Sequence, residues 1–386
     1  MPPVTNRNTR EPKMRSKLRL LLLSSGSLAA QNVIDALGER RERCLLIGVN
    51  SLEKSAGNFR CDVVFRVPPA SSGAAYIDSI ADIVRAERPD LVIPSRDDDV
   101  LALALLRERH TCIQSVLLTG TPATARMWED KVETARFAAR HGLPFAPTAE
   151  NARDALALTA KHPLPLIGKP RAGNGSRGVV LLRSQAEIER AFEARPDLIA
   201  QPFLDPPANM QALIAPPEAG LPLFFSFPAA YQYIATVIVG PDGAVSEPIT
   251  WLCTLVGGQS MEGTRCDDPQ LLELGRAYGH AAAAEGWRGP LNIQLKRPAH
   301  GSYVAFEVNG RFSGGTAART VLGFDEVGLA IKAFLPAVDF PLRTDPACDA
   351  IQKYVQSYPI PREGVEALRR SDRWVRADAR SSDERV

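Results

Sequence analysis

The sequence predicts a mixed fold in two styles, α/β first and α+β after it. Three observations carry this. Leu20 to Leu23 is apolar without polar alternation, as expected of a strand covered on both faces. From Leu18 to about Gly120 strand-like and helix-like runs alternate, the pattern of an open, mostly parallel sheet. Further on, period-2 runs such as YIATVIVG, LNIQLKR and YVAFEVN predict antiparallel pairs with one polar face.

Taken in order, Leu18 to about Leu23 is the first strand, and Leu28 to Leu37 a helix stopped near Gly38. Cys44 to Asn50 and a short run from Val63 are further strands. Tyr76 to Glu87 is a helix, Leu91 to Ser95 a strand and Asp97 to Arg109 a helix. Ligands of such sheets bind beyond the carboxyl ends of the strands, where Ser24 to Ser27 and Ser95 to Asp99 lie. Thr124 to His141 reads as one helix. A small α+β unit follows, with helices from Ala152 and Gln185 and strands Leu166–Pro170, Gly178–Leu182 and Leu198–Phe203. Asp205 to Pro228 reads as an irregular connection or flap. Tyr233 to Gly240, Leu291 to Arg297 and Tyr303 to Asn309 are strands. Leu271 to Glu285 and Glu326 to Leu335 are helices. Glu262 sits in the glycine-bearing stretch GGQSMEGTR, either facing substrate or as an exposed loop acid. The expected units are a disordered basic lead 1–17, an α/β domain 18–120, a linker helix with a small lobe 121–203, a large lobe 204–340, and a C-terminal extension 341–386 whose last dozen residues are disordered.

The 386 residues leave room for two or three cores that need neither metal nor disulfides. A formal charge of +2 gives no reason to expect nucleic acid or another polyanion. The basic lead followed by leucines imitates a secretory signal, but the apolar run is short, and no window of 18 apolar residues predicts a membrane span. The six cysteines lack metal-ligand spacing, which suits free thiols in a reducing, cytoplasmic setting.

Two segments could carry chemistry. In KPRAGNGSRG, Gly173, Gly175 and Gly178 permit a tight turn with its N–H groups exposed to an anion. Ser176 adds a hydroxyl, and Lys169 and Arg171 add charge. The same glycines would equally serve a plain hairpin turn. On the pair LNIQLKR and YVAFEVNGR, side-chain alternation puts Asn292 and Gln294 on one face of the first strand and Glu307 and Asn309 on one face of the second. Gln294, Glu307 and Asn309 offer oxygen ligands suited to Mg²⁺ held partly by phosphates. They would otherwise face solvent, with Ile293, Leu295, Phe306 and Val308 turned to the core. Arg311 follows at once.

The order IGKPRAGNGSRGV, AQPFL, GPLNIQ, FEVNGRFSGG, behind an α/β region with LLLLSSGS and VIPSRDDDV, resembles the ATP-grasp superfamily. The likeness is to the branch near carbamoyl-phosphate synthase large subunits and carboxylate–amine ligases, over roughly residues 18 to 340. The resemblance implies an ATP-grasp fold preceded by an open parallel-sheet pre-ATP-grasp domain. It implies that Lys131, Lys169, Arg171 and the flap Gly173, Gly175, Ser176, Gly178 reach the ATP phosphates, and that Gln201, Pro202, Phe203, Leu204 and Asp205 line adenine and ribose. It implies that Gln294, Glu307 and Asn309 hold Mg²⁺, with Mn²⁺ as a substitute, and that Arg311 and Lys169 act catalytically beside an acyl phosphate. The implied activity is a cytoplasmic ligase joining a small carboxylate to an amine or amino acid, with a homodimer as a family-style expectation. Carboxylation, another acyl-phosphate transfer, and a non-catalytic nucleotide-binding regulator are the alternatives. One departure is Asn309-Gly310-Arg311 where many members have Asn-Pro-Arg; the small residue would widen the acceptor side. Another is the long stretch after Asp205, which leaves the ribose contact open.

Overall fold

The computed structural model describes residues 17–379 except 174, 176, 208, 209, 211–229, 299, 300 and 347. Residues 1–16 of the basic lead, most of the expected flap after Asp205, Ser176 and the last seven residues therefore lie outside the described residues.

Strands β1 (Leu18–Leu22), β2 (Cys44–Asn50), β3 (Val63–Arg66), β4 (Leu91–Ile93) and β5 (Val116–Leu117) form a parallel array in the order β3-β2-β1-β4-β5. Leu20 to Leu23 are fully buried, as a doubly covered central strand requires. Helices α1 (Leu28–Leu37), α2 (Ala74–Glu87) and α3 (Asp97–Arg109) cover the sheet. The α1 bounds coincide with those read from sequence. Ser27 caps its start, and Gly38 ends it at φ 53°, a conformation that a β-carbon disfavours.

The expected single helix from Thr124 to His141 is instead two, α4 (Pro122–Glu129) and α5 (Lys131–Arg140). Asp130 leaves the helical conformation between them, and its carboxylate accepts from the amides of Val132 and Glu133. Capping by a short acid competes with helix continuation, so Asp130 breaks the run and Lys131 becomes the first residue of α5.

A small three-stranded sheet follows, ordered β7-β6-β8, from β6 (Leu166–Pro170), β7 (Val180–Leu182) and β8 (Leu198–Pro202). Helices α6 (Ala152–Leu158) and α7 (Gln185–Ala194) pack beside it. The large sheet runs β13-β12-β9-β10-β11-β14, built from β9 (Ala230–Val239), β10 (Ile249–Val256), β11 (Gln259–Arg265), β12 (Gly289–Lys296), β13 (Val304–Asn309) and β14 (Ala350–Gln352). Its inner face packs on α8 (Pro269–Ala284) through Leu271, Tyr278, Val237, Ile293 and Val308.

The β10–β11 hairpin around Gly257 and Gly258 corrects the loop reading of Glu262. That residue lies in β11, where Gln352 donates to it at 2.8 Å. The C-terminal extension is also more ordered than its composition indicates. After α9 (Thr316–Val321) and α10 (Glu326–Phe334), helix α11 (Arg362–Ser371) and β15 (Arg373–Val375) return to the first sheet, where β15 adds antiparallel to β3. Leu368 and Trp374 join the apolar cluster under β1 and β2. Among the described residues no helix is long and apolar enough to cross a membrane.

Candidate active site

The segment 144–149 joins the two lobes. The amide of Ala146 donates to the Ala305 carbonyl on β13 at 2.7 Å, and the amide of Ala149 to Ala200 on β8 at 2.9 Å. One stretch of chain thus fixes the edge of the large sheet against the small one, and the cleft between them collects the charged side chains.

From the small-lobe side come two lysines. Lys169 on β6 is 5% exposed and donates from Nζ to the Phe306 carbonyl at 3.1 Å, with its ammonium 5.4 Å from the Phe306 ring centroid. Lys131, placed by the break at Asp130, donates from Nζ to the Gly173 carbonyl at 3.0 Å. Gly173, Gly175 and Gly178 all take positive φ, 125°, 66° and 71°, as a turn that aims successive amides requires. At Gly173 and Gly175 open space surrounds the position a β-carbon would fill.

From the large lobe come the oxygen donors. Asn292 stands opposite Asn309 and Gln294 opposite Glu307, so all four share one sheet face. The register then slips between Gln294 and Leu295, which pairs with Ala305. This β-bulge leaves Phe306 over. It corrects the expectation that Phe306 faces the core: the extra residue turns its ring toward Lys169 instead. Asn309 donates from Nδ2 to Glu307 at 3.2 Å, and its Oδ1 accepts from Arg311 at 3.2 Å. Asn292 is 1% exposed; its amide donates to Thr236 at 3.1 Å, while its Oδ1 has no partner among the described residues. An unpaired buried acceptor beside a carboxylate and a second amide suits a hard cation. Among the described residues there is no group of three or more His, Cys, Asp or Glu that could hold a metal ion.

Burial pushes Lys169 down to about 8, against the upward pull of Glu307, and Lys131 pushes it further down. A buried ammonium without a paired carboxylate is stabilised by an incoming polyanion. Arg311 is held by Asp97, with Nε 2.8 Å from Oδ1. Burial alone would lower the proton affinity of Arg311; Asp97 and Glu307 outweigh it and hold it above the usual value. Asp97 belongs to the stretch Ser95 to Asp99 expected at the ligand-binding ends of the strands; its pairing with Arg311, 214 residues on, is what the sequence did not show.

Not every expected residue joins this cluster. Arg171 turns away: its Nε bonds Asp130 at 2.7 and 2.8 Å and its Nη1 lies 3.3 Å from Glu150. Its guanidinium ties the base of the glycine turn to the start of α5. Gln201 is buried in β8 and donates to Thr148 at 2.9 Å, with Pro202 beside it opposite Leu166. Phe203, Leu204 and Asp205 follow, half-buried, at the strand end. Asp205 accepts from the Tyr231 hydroxyl and thereby raises its pKa.

Gly310 also departs from expectation. A β-carbon there would stand 2.6 Å from Trp287 and 2.7 Å from Trp128, both buried. The small residue makes room for two indoles just past β13, where the expectation had open space.

Beyond Arg311, the carboxyl ends of the first sheet form the third wall. Ser24, at φ 48°, and Tyr76 donate to Asp99 Oδ1 at 3.0 and 2.7 Å, and the amides of Ser95 and Arg96 donate to Oδ2. Burial raises Asp99 to about 6, against these hydrogen bonds. A cavity of about 130 Å³ opens there, lined by Ser24, Asn50, Tyr76, Arg96 and Asp98 among others.

No family model matches the chain. Among curated proteins it is 30% identical over 190 residues to a formate-dependent phosphoribosylglycinamide formyltransferase of Xanthomonas axonopodis pv. citri, and 27% over 190 residues to that of Nitratidesulfovibrio vulgaris. It spans only 44% of the length of each, and 47% of this chain is matched. Among solved structures, an N5-carboxyaminoimidazole ribonucleotide synthetase in complex with ADP aligns with a TM-score of 0.60 at 16% identity, over 86% of this chain and 79% of that one. The biotin carboxylase domain of 2-oxoglutarate carboxylase from Hydrogenobacter thermophilus aligns at 0.61 and 16%, over 86% and 72%. The chain therefore has the ATP-grasp fold, in the form found in these biotin carboxylase and N5-carboxyaminoimidazole ribonucleotide synthetase structures.

Proposed function

We propose that the chain is an ATP-dependent carboxylate–amine ligase that works through an acyl phosphate. The observation that carries this reading is the meeting of Lys169 with β13, 3.1 Å from Nζ to the Phe306 carbonyl and next to Glu307. It brings phosphate-seeking cations of one lobe onto the oxygen donors of the other. In this reading the first sheet is a pre-ATP-grasp domain, Lys131, Lys169 and the turn with Gly173, Gly175, Ser176 and Gly178 hold the ATP phosphates, and Gln201 to Asp205 line adenine and ribose. Gln294, Glu307 and Asn309 hold Mg²⁺, or Mn²⁺ in its place, with Asn292 beside them. The bound ion supplies charge neutralisation for the phosphates.

A substrate carboxylate oxygen bonds to the γ-phosphorus of ATP and the bond to ADP breaks. The amine nitrogen then attacks the acyl carbon, phosphate leaves, and the nitrogen loses a proton. Arg311 faces the developing charge. The strand ends with Ser24, Arg96 and Asp97 shape the acceptor side. A homodimer belongs to the same proposal. A second reading, with formate or bicarbonate as the acid, is favoured by the formate-dependent and N5-carboxyaminoimidazole ribonucleotide relatives.

The test is magnesium-dependent ADP release over pooled amines, amino acids and small carboxylates, with formate and bicarbonate included. Turnover with one pool is expected; ATP binding without turnover in any pool would leave a regulator.

Two further outcomes follow from the cations. Without divalent ions, ATP affinity should be level below about pH 8 and fall above it, because polyphosphate binding raises the pKa of Lys169 and so takes up a proton there. The fall should reach up to about tenfold between pH 7 and 9, and Lys169→Arg should abolish it; calorimetric titration at each pH reads both. Arg171→Gln should change the apparent KM for ATP by less than about threefold, because its charge is already spent on Asp130 and Glu150. A change as large as that of Lys131→Gln would return Arg171 to the phosphate site.

A further inference from the structure

The far end of α3 carries a second concentration of positive charge, outside the cleft between the lobes. A cavity of about 260 Å³ lies where the first sheet meets the large lobe. Arg107 near the end of α3 and Arg288 just before β12 line it, together with the exposed Thr111 and with Ser115, Ile113 and Phe334.

The two arginines are held without being neutralised. Arg107 donates from Nη1 to the Thr119 carbonyl at 3.1 Å and from Nη2 to the Gly120 carbonyl. Arg288 donates from Nε to the Pro241 carbonyl at 3.1 Å and from Nη1 to the Ala283 carbonyl at 3.0 Å. All these partners are backbone carbonyls, and among the described residues no carboxylate forms an ion pair with either guanidinium. Burial lowers the proton affinity of Arg107; neighbouring Glu108 offsets part of this, and the charge of Arg288 lowers it slightly further. His110 adds no negative charge: its Nδ1 meets Arg85 at 2.9 Å and its Nε2 faces Asp78 at 3.9 Å. Two oriented guanidinium groups sharing one cavity repel each other until an anion sits between them, and planar forks suit phosphate oxygens.

We propose that this cavity is a second ligand site, taking a small metabolite whose phosphate or comparable dianion lies between Arg107 and Arg288 and whose apolar part rests on Ile113 and Phe334. The site is independent of the ligase reading. Its place gives it a route to the other cleft: α3 begins at Asp97, which holds Arg311, and carries Arg107 ten residues on, roughly 15 Å along the helix axis. A ligand that shifts the end of α3 would shift the grip on Arg311.

The probe is inorganic phosphate, titrated calorimetrically into the full chain at constant ionic strength. Lys169→Ala, altered in the ATP cleft, should bind phosphate at this cavity as the unaltered chain does. Arg107→Gln/Arg288→Gln should weaken it at least about tenfold, since two charge-assisted contacts are lost. Thr111→Glu, on an exposed position, should weaken it similarly by placing an acid at the rim, and this decides the matter if the double variant folds poorly. Undiminished binding in Thr111→Glu and the double variant, loss in Lys169→Ala alone, or no binding to the unaltered chain overturns the proposal.

Discussion

Glu307→Ala should lower ADP release by at least about 1,000-fold, on the order of 4 kcal/mol of barrier, while leaving the fold in place. Glu307 is the only formally charged member of the oxygen set on its sheet face, so its removal leaves neutral amides to hold a divalent ion. Its hydrogen-bonding role is slight. The side chain is half-buried, and its recorded hydrogen bond is the 3.2 Å contact from Asn309. Because Glu307 also offsets the buried charges of Lys169 and Arg311, the loss in unfolding free energy should lie within about 0.5–3 kcal/mol, short of unfolding the chain. Glu307→Gln keeps an oxygen without the charge and should fall between the two. ADP release and thermal unfolding on the same preparations separate the outcomes. Near-normal turnover in Glu307→Ala would end the metal assignment, and a collapse in stability would make Glu307 a structural residue.

The second large effect belongs to Gly310, and here stability and activity should fail together. Trp128 and Trp287 pack edge to face at 6.1 Å and 90°, and both approach the Gly310 backbone. A single methyl at 310 would need about an ångström of movement from rings held in a close-packed core. Gly310→Ala should therefore cost about 1–3 kcal/mol, and Gly310→Pro more. Because Asn309 and Arg311 flank the site, turnover should fall as well. Trp128→Phe combined with Gly310→Ala should recover part of the stability by making room. A Gly310→Ala protein with unaltered melting temperature would show that the indoles move freely and that the small residue has another purpose.

Much of this architecture was legible from local pattern. The buried β1, the bounds of α1 and α3, and the shared face of Gln294 with Glu307 follow from periodicity and end signals, which are properties of neighbouring residues. Asp130 shows where the reading ran out. The apolar spacing of Thr124 to His141 permits one helix, but the capping carboxylate, tied to Arg171 41 residues away, favours a break. The β10–β11 hairpin was lost because its glycines read as loop, and the return of β15 to β3 because a charged tail carries no local sign of a distant sheet edge.

By itself, then, the sequence determined most of the elements of both sheets and which residue types stand where chemistry needs them: glycines in the turn, lysines beside it, amides and a carboxylate alternating along two strands. Only the tertiary structure decided how they share a space. The bulge that frees Phe306 for Lys169, the Asp97 grip on Arg311, the diversion of Arg171 to Asp130, and the indoles that explain Gly310 are contacts between residues far apart in the chain. Side-chain periodicity is set by backbone geometry within a few residues. Charge pairing and close packing depend on which surfaces the folded chain brings within a few ångströms.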